Sequence, residues 1–119
     1  MKQELGQKGE QAAAAYLVRE GFTVLAKNIT IRAGEIDLLA LAPCGTLVIV
    51  EVKTRASQRF GSSLESLSRK KQQSLKRTAR ILVKKMSWKR AWRIDLIGID
   101  VMNHGRAQLR HIKNVELVH

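Results

Sequence analysis

The sequence predicts an α/β fold, a mixed β-sheet flanked by helices, with its elements in the order α-β-β-β-α-β-β. A β-hairpin is predicted over residues 34–53, because two runs rich in Leu, Ile and Val are separated by a Pro-Cys-Gly turn. The second run is apolar at every position up to Val50, which is typical of a central strand covered on both faces. Segments 3–20 and 64–86 have the periodicity of amphipathic helices that could provide this cover.

The first helix is predicted over residues 3–20 and ends at Gly21. Small residues lie on its apolar arc, namely Gly6, Gly9 and Ala13. This face is small enough for the helix to pack closely on a sheet. Glu10 lies about 20° from Leu17, at the edge of the apolar arc rather than on the outer face. A glutamate at such an edge usually extends to water, so Glu10 taken alone is a weak functional candidate.

The first strand is predicted at Phe22–Asn28, and residues 29–33 lead from it into the hairpin. We expect Pro43-Cys44-Gly45 to form the hairpin loop, with Gly45 at the positive-φ position of a three-residue turn. The register is then symmetric about Cys44. The opposed pairs are Leu41–Leu47, Leu39–Ile49, Asp37–Glu51 and Glu35–Lys53.

Asp37 and Glu51 would then face each other beside an apolar core, where they repel unless a cation or a shared proton lies between them. Two carboxylates with open coordination positions suit a hard divalent cation such as Mg²⁺ or Mn²⁺, and the backbone carbonyl of Val52 could be a third ligand. Lys53 could stabilise developing charge or help deprotonate an attacking water. This set suits metal-assisted phosphodiester hydrolysis. The alternative is an exposed Glu35–Lys53 ion pair beside two strand-end acids that are close by chance.

The second helix is predicted from Leu64 to Met86, after a polar, basic loop at residues 54–63. Its predicted buried stripe consists of Leu64, Leu67, Leu75, Thr78, Ala79, Leu82 and Met86. Lys71 falls within this stripe, and Gln72 borders it. Lys71 should therefore either extend to solvent or reach a buried anion.

The last two strands are predicted at Trp92–Val101 and Gln108–Ile112, with a turn at Asn103-His104-Gly105 between them. Asp95 and Asp100 should lie on opposite faces of their strand, so they are not expected to form a pair. The three histidines are expected to be ordinary surface residues: His104, His111 and His119.

The net charge of +12 is concentrated in one third of the chain. Residues 53–93 contain 14 Lys or Arg and one acidic residue, whereas the remainder contains 8 basic and 9 acidic residues. Such a basic block suits a nucleic-acid backbone, with DNA as the expected partner, although it could also be a solvated face. The predicted nucleic-acid contacts are Arg55, Arg59, Arg69, Lys70, Lys76, Arg77 and Arg80.

Composition excludes several other classes. With 119 residues, of which 45% are apolar, the chain is predicted to be a single domain over residues 1–119. Cys44 is the only cysteine, so neither an internal disulfide nor a zinc cluster is expected. The N-terminal residues have no signal-peptide pattern, and the longest uncharged run, 13 residues, is too short to span a bilayer. A soluble, cytoplasmic protein without a membrane partner is predicted.

The spacing of Asp37, thirteen residues, then Glu51-Val52-Lys53 resembles the Asp…Glu-x-Lys core of the PD-(D/E)xK nucleases, the restriction-endonuclease-like superfamily. Glu10 resembles the additional acidic residue of its archaeal Holliday-junction resolvase branch. The whole chain resembles the YraN-like family of uncharacterised bacterial proteins. The matching stretches are Gly9-Glu10, Asn28, Gly34-Glu35-Ile36-Asp37-Leu38-Leu39, Val50-Glu51-Val52-Lys53-Thr54-Arg55, Phe60-Gly61, Lys71-Gln72 and Arg93-Ile94-Asp95.

This resemblance implies a restriction-endonuclease-like core with Mg²⁺ or Mn²⁺ as cofactor. It implies that Asp37 and Glu51 are metal ligands and that Lys53 is the catalytic lysine. It also implies supporting roles for Glu10 with Lys71 or Gln72. We count Glu10 among the predicted catalytic residues with Asp37, Glu51 and Lys53, and we predict that Glu35, on the same face as Lys53, is a supporting residue. One departure is that Ile36, rather than proline, precedes Asp37.

The expected function is that of an endonuclease acting on DNA, including branched or repair intermediates. Junction cleavers commonly use two active sites, so a homodimer is compatible with this function. A non-catalytic nucleic-acid-binding module that uses the basic segment 53–93 is the alternative. A protein that docks an acidic partner is a third and weaker hypothesis.

Overall fold

The structure of the protein, a computed structural model, describes residues 2–56, 68–101 and 106–115. The two helices are α1 (Lys2–Arg19) and α2 (Arg69–Lys85). The five strands are β1 (Thr23–Ile31), β2 (Gly34–Leu41), β3 (Leu47–Arg55), β4 (Trp92–Val101) and β5 (Ala107–Ile112). This confirms the predicted α/β class and the predicted order of the elements.

The five strands form one mixed sheet in the order β1-β2-β3-β4-β5. Strands β1, β2 and β3 pair antiparallel, β3 and β4 pair parallel, and β5 returns antiparallel to β4. Parallel neighbours need a crossover connection, which is provided by the chain segment that contains α2. The central position of β3 explains why it is apolar on both faces.

The two helices pack on opposite faces of the sheet and create two core layers. The α1-side core includes Ala13, Leu17, Leu38, Ala40, Val48, Val50, Ile97 and Ile99. The α2-side core includes Ile36, Leu39, Leu47, Ile49, Leu75, Ala79, Leu82 and Ile94. Successive residues of β3 thus alternate between the two layers, as the period of a strand requires. None of the helices in the described ranges has an apolar stretch long enough to cross a bilayer.

Helix α1 approaches β3 most closely at Gly9. A Cβ atom on Gly9 would collide with the hydroxyl of Thr54. The predicted close packing is therefore confirmed at Gly9, but Gly6 has open space around the position of its missing Cβ. This contact fixes α1 beside the C-terminal half of β3.

The β2–β3 hairpin has the predicted loop. Gly45 has a φ of +94°, and the Ala42 N–H donates a 2.9 Å hydrogen bond to the Thr46 carbonyl. The paired residues are Leu41–Leu47, Ala40–Val48, Leu39–Ile49 and Leu38–Val50. No further pair extends this ladder in the described part of the chain, so the predicted opposition of Glu35 and Lys53 is wrong. Glu35 is paired with Thr30 on the other neighbouring strand.

Several element boundaries differ from the prediction, most of all the end of β1 and the start of α2. Strand β1 continues to Ile31, so only the turn Arg32–Ala33 separates it from β2. Helix α2 begins at Arg69, because Ser68 is an extended N-cap whose hydroxyl accepts from the Lys71 N–H at 3.1 Å. A continuous helix from residue 64 is therefore wrong, and the predicted stripe residues Leu64 and Leu67 lie outside the described residues. At the other end Met86 is the C-cap and is exposed, and Val83 is buried instead.

Candidate active site

Asn28 and Asp37 occupy opposite positions in the β1–β2 register, but they are not among its paired residues. The ladder is intact on either side, at Lys27–Leu38 and Ile29–Ile36. Asn28 has a φ of +51°, which lies in the left-handed region that Gly and Asn tolerate best. The sheet is therefore irregular at the position of the predicted ligand Asp37.

Both strands break their alternation at this irregularity. On β1, Ala26 and Ile29 both pack into the α2-side core. On β2, Leu39 and Ile36 do the same. In a regular strand, residues three positions apart would lie on opposite faces. Asp37 lies inside the irregular segment, which turns its side chain along the sheet toward β3.

The Asp37 carboxylate replaces a backbone partner of β3. Its Oδ2 accepts a 2.7 Å hydrogen bond from the Val52 N–H. The β2–β3 ladder ends two residues before Val52, at Val50. In an extended strand the N–H and C=O of one residue point to the same side, so the Val52 carbonyl faces the same side of β3 as Asp37. Both oxygen donors predicted at this position are therefore near each other.

Glu51 is buried, with only 6% of the residue exposed, and its neighbour is the Asp37 carboxylate. Burial, followed by repulsion from Asp37 and a hydrogen bond to Asp37, raises the pKa of Glu51 to about 8. The nearby Lys71 and Lys53 ammonium groups act in the opposite direction. Glu51 is therefore mostly protonated at neutral pH when no cation is bound, and it shares a hydrogen bond with Asp37. The predicted contact of Asp37 and Glu51 is present, although it is not formed by a regular strand pair.

Lys71 reaches the buried anion, one of the two outcomes that its position in the helix allowed. Its Nζ lies 3.7 Å from Glu51 Oε2, while its side chain remains 58% exposed. Solvent therefore screens most of this attraction. A cleft of about 230 Å³ opens at this point between α2 and the end of the hairpin. It is lined by Gly34, Glu35, Glu51, Lys71, Ser74, Leu75 and Thr78.

Glu10 approaches the same group of carboxylates from α1. Burial raises the pKa of Glu10, as do the charges of Asp37 and Glu35, whereas a hydrogen bond with the Asn28 side chain lowers it. Asp37 is thus the common neighbour of Glu10 and Glu51. Asn28 was not expected to have a role, and the available signal was an asparagine in a strand opposite the proposed ligand, since asparagine tolerates positive φ.

The oxygen donors fit a hard divalent cation such as Mg²⁺ or Mn²⁺ better than a softer metal that prefers nitrogen or sulfur ligands. No group of three or more His, Cys, Asp or Glu side chains in the described residues could hold a metal by itself. A cation at Asp37 and Glu51 would therefore need backbone, water or phosphate oxygens as additional ligands. Mg²⁺ commonly binds in this way, through one or two carboxylates and substrate oxygens.

The predicted nucleic-acid contacts lie mainly on the outer face of α2. Arg69, Lys70, Arg77 and Arg80 are exposed there, whereas Lys76 is half-buried. On β3, Arg55 and the predicted catalytic Lys53 are also half-buried. On α2, Gln72 is half-buried next to Lys71. The predicted contact Arg59 lies outside the described residues.

A second carboxylate, Asp95, is fully buried on β4 and has a complete set of partners. Its Oδ1 accepts from Arg93 Nε at 2.9 Å and from the Asn114 N–H at 2.9 Å. Its Oδ2 lies 2.8 Å from His111 Nε2, and the Tyr16 hydroxyl lies 2.9 Å from His111 Nδ1.

The expectation that His111 is a surface residue is therefore wrong, because its side chain is 4% exposed. His104 and His119 lie outside the described residues. The available signal was Asp95 itself, a charge inside a strand that is apolar on both faces and therefore in need of partners.

Together these features define a mixed α/β protein in which two carboxylates meet at the open end of a β-hairpin. Residues 9–99 match the family described as Uncharacterised protein family UPF0102, and the chain belongs to that family. This confirms the relationship inferred from the YraN-like motifs.

A UPF0102 protein of Symbiobacterium thermophilum is 38% identical over 115 residues, which are 96% of this chain and 97% of the relative. A UPF0102 protein of Desulforamulus reducens is 35% identical over 116 residues, which are 95% of each chain. Among solved structures, the chain is similar to one in an EndoMS–dsDNA2 complex, with a TM-score of 0.44 and 22% identity. That alignment covers 72% of this chain and 34% of the other, so this protein spans about a third of its length.

Proposed function

We propose that this protein is a nuclease that hydrolyses phosphodiester bonds in DNA, including branched or repair intermediates, with Mg²⁺ or Mn²⁺ as cofactor. The observation that carries the proposal is the contact between Asp37 and the buried Glu51 at an open cleft. Two carboxylates in contact cost stability, and a protein that only binds nucleic acid has no need of them.

In this proposal Asp37, Glu51 and the Val52 carbonyl hold the cation. When bound, such a cation lowers the pKa of a water molecule and polarises a phosphoryl oxygen. Lys53 follows Glu51 by two residues on the same side of β3, where it stabilises negative charge on the scissile phosphate or receives a proton from the attacking water. Lys71 favours the ionised form of Glu51, which cation binding requires, and presents its ammonium group to the phosphate.

Glu10 and Glu35 have supporting roles. Both increase the negative potential around Asp37, as the raised pKa of Glu10 indicates from its own side. A higher negative potential strengthens cation binding. Gln72 lies beside Lys71 at the start of α2, where an amide can hydrogen-bond a phosphate oxygen.

The basic face of α2 supplies long-range attraction for the DNA backbone. It is the side of the helix opposite to the buried residues Leu75, Ala79 and Leu82. The second candidate function, a non-catalytic nucleic-acid-binding module, needs only this basic face. It would leave the costly contact of Asp37 with Glu51 without a purpose.

Calorimetric titration with Mn²⁺ and cleavage assays separate the two functions. We expect Asp37→Asn and Glu51→Gln to abolish Mn²⁺ binding, whereas Glu20→Gln, which removes an exposed carboxylate at the end of α1, leaves it unchanged. Lys53→Ala should reduce cleavage of junction, flap or linear DNA by about 10²-fold or more while DNA binding persists. Mn²⁺ binding that is indifferent to both carboxylates would refute the nuclease proposal.

A further inference from the structure

The tip of the β1–β2 hairpin contacts α2 at Thr78. The Thr78 hydroxyl lies 3.2 Å from the Ala33 carbonyl oxygen, and a Cβ atom on Gly34 would lie 2.6 Å from that hydroxyl. A recess lies on each side of this contact, between the hairpin tip and the helix. The recess toward the N-terminus of α2 is the cleft that contains Glu51.

The second recess is a groove of about 310 Å³ toward the C-terminus of α2. It is lined by Ile31, Arg32, Ala33, Ile81 and Lys85. Its floor is aliphatic, and Ile81 is one of the exposed large apolar residues of the described chain, at 36%. Arg32 and Lys85 are exposed at its rim, and neither forms an ion pair with an acidic residue among the described residues.

The groove and the cleft lie on one side of α2. Ser74, Thr78, Ile81 and Lys85 follow each other at the four- and three-residue spacing of one helical stripe. From Lys71 in the cleft to Lys85 at the groove, α2 rises by about 21 Å, at 1.5 Å per residue. With a rise of about 3.4 Å per nucleotide along one strand, the two recesses are about six nucleotides apart at most.

We propose that this groove binds an unpaired nucleotide of a single-stranded segment that continues from the phosphate at the Asp37–Glu51 site, an inference that rests on the proposed function. The two rim cations attract its phosphate, and the aliphatic floor covers its base or sugar. In a duplex the bases are stacked and paired, so only the backbone would reach the groove and the floor would stay in water. The substrate class is therefore DNA with a flap, an overhang or a gap rather than a continuous duplex.

The size of the groove agrees with one nucleotide. Its volume lies at the lower end of the range of about 300–1,000 Å³ for small-molecule sites. The charge pattern agrees as well, since a phosphate needs cations beside an apolar surface that accepts the rest of the nucleotide.

Fluorescence anisotropy in EDTA tests this assignment with two labelled probes, a thymidine dodecamer and a blunt twelve-base-pair duplex. We expect Ile81→Gln to weaken binding of the dodecamer at least about fivefold and that of the duplex less than about twofold. The matched control Val18→Gln, at an exposed valine on α1, should change neither.

Arg32→Gln provides a second test, because this exposed turn residue can be replaced without affecting the core. It should weaken dodecamer binding. It should also make the slope of log K against log salt shallower by about one unit, because about one counterion fewer is released on binding. The matched control Arg19→Gln, which removes an exposed arginine at the end of α1 and outside the basic segment 53–93, should leave dodecamer affinity within about twofold of the unmodified protein.

Equal losses for both probes, or no loss with either groove variant, would overturn the assignment. Because EDTA prevents metal binding and cleavage, this result does not depend on whether the Asp37–Glu51 site is catalytic. A protein without nuclease activity could pass this test, and an active nuclease could fail it.

Discussion

The adjacent strands β3 and β4 both bury carboxylates, and Glu51 on β3 and Asp95 on β4 have opposite surroundings. Asp95 on β4 accepts hydrogen bonds from Arg93, His111 and the Asn114 N–H. Although burial raises the pKa of Asp95, these bonds and the charge of Arg93 more than offset it, and the pKa lies below its usual value. Glu51 on β3 instead faces another carboxylate, and its pKa rises to about 8.

Under the proposed function, this difference separates a structural carboxylate, Asp95, from a functional one, Glu51. A buried carboxylate with a complete set of donors belongs to the folded structure by itself. A buried carboxylate whose neighbour is a second carboxylate lacks positive charge, and the nearest ammonium group, that of Lys71, is 3.7 Å away and mostly exposed. Such an arrangement is stable when a bound cation provides the missing charge, which is why we place function at Glu51 and not at Asp95.

The largest effect on stability should come from Asp95→Asn. This change leaves Arg93 and His111 beside a neutral amide in a buried site, and breaking a buried ion pair typically costs about 3–5 kcal/mol of unfolding free energy. Urea denaturation measures the loss, and Mn²⁺ titration of the folded variant should show unchanged affinity. A cost below about 1 kcal/mol would mean that the partners of Asp95 contribute little and that the contrast with Glu51 is not real.

Glu51→Gln should change the unfolding free energy in the opposite direction and stabilise the protein, because glutamine resembles the protonated acid. The pKa of Glu51 in the folded protein, about 8, is above its ordinary value of 4.5. Its contribution to stability is therefore complete below about pH 4.5 and is lost as the pH rises through 8. At pH 9 we expect the variant to be more stable than the unmodified protein by about 2–4 kcal/mol, and at pH 4 the two should agree within about 1 kcal/mol.

Thermal unfolding from pH 4 to 9 provides the measurement. Adding Mn²⁺ at pH 9 should stabilise the unmodified protein but not the variant, because only the former retains both ligands. Parallel pH profiles for the two proteins would show that Glu51 does not carry the unfavourable charge.

The parts of the fold and of the candidate site that depend on residues close together in the sequence could be predicted from the sequence. The loop with Gly45 and the alternation of β3 predict the register as far as Val50, because turn chemistry and strand period depend on neighbouring residues. The helical position of Lys71 likewise predicts that it faces the sheet. The contact between Asp37 and Glu51 is predicted by extending this register one pair further, but in the structure it forms where the regular ladder has already ended.

The features that could not be predicted depend on contacts between residues that are distant in the sequence. The irregularity at Asn28 changes which face β2 presents, and no periodicity reveals a break that arises between two strands. The burial of His111 requires Tyr16, which lies 95 residues away along the chain. The start of α2 depends on whether Ser68 acts as a cap, and the helical spacing of the apolar residues from Leu64 onward does not reveal this.

Helix α1 contacts both carboxylate sites, through Glu10 on one side and Tyr16 on the other, so Gly9→Ala tests whether they respond together. The added methyl group would collide with the Thr54 hydroxyl and push α1 away from β3. We expect a loss of about 1–3 kcal/mol in unfolding free energy, measured by urea denaturation. Removing the obstacle in the double variant Gly9→Ala/Thr54→Ala should recover most of it. If the single variant is as stable as the unmodified protein, α1 does not depend on this close approach.

The smallest effects are expected for two substitutions of Asn28, which distinguish the role of its backbone conformation from that of its side chain. Asn28→Ala places a Cβ-bearing residue without a polar group at a φ of +51°, which costs about 1–2 kcal/mol. Asn28→Gly keeps that backbone conformation but removes the hydrogen bond to Glu10. If the irregularity positions Asp37, the glycine variant should keep Mn²⁺ affinity within about twofold, whereas the alanine variant should lose more.

Chemical denaturation and calorimetry on the same two variants distinguish these roles. Equal affinity losses would assign the effect to the contact between Asn28 and Glu10 instead of to the backbone. In that case Glu10 would contribute directly to cation binding. The proposed cation site would then contain three carboxylates, Glu10, Asp37 and Glu51, whereas Asp95 is surrounded by hydrogen-bond donors. Unequal losses of Mn²⁺ affinity would show that the backbone conformation at Asn28 matters. The contrast between Glu51 and Asp95 would then depend on the course of β2, which leaves regular pairing at Asp37 and so brings the Asp37 carboxylate against Glu51.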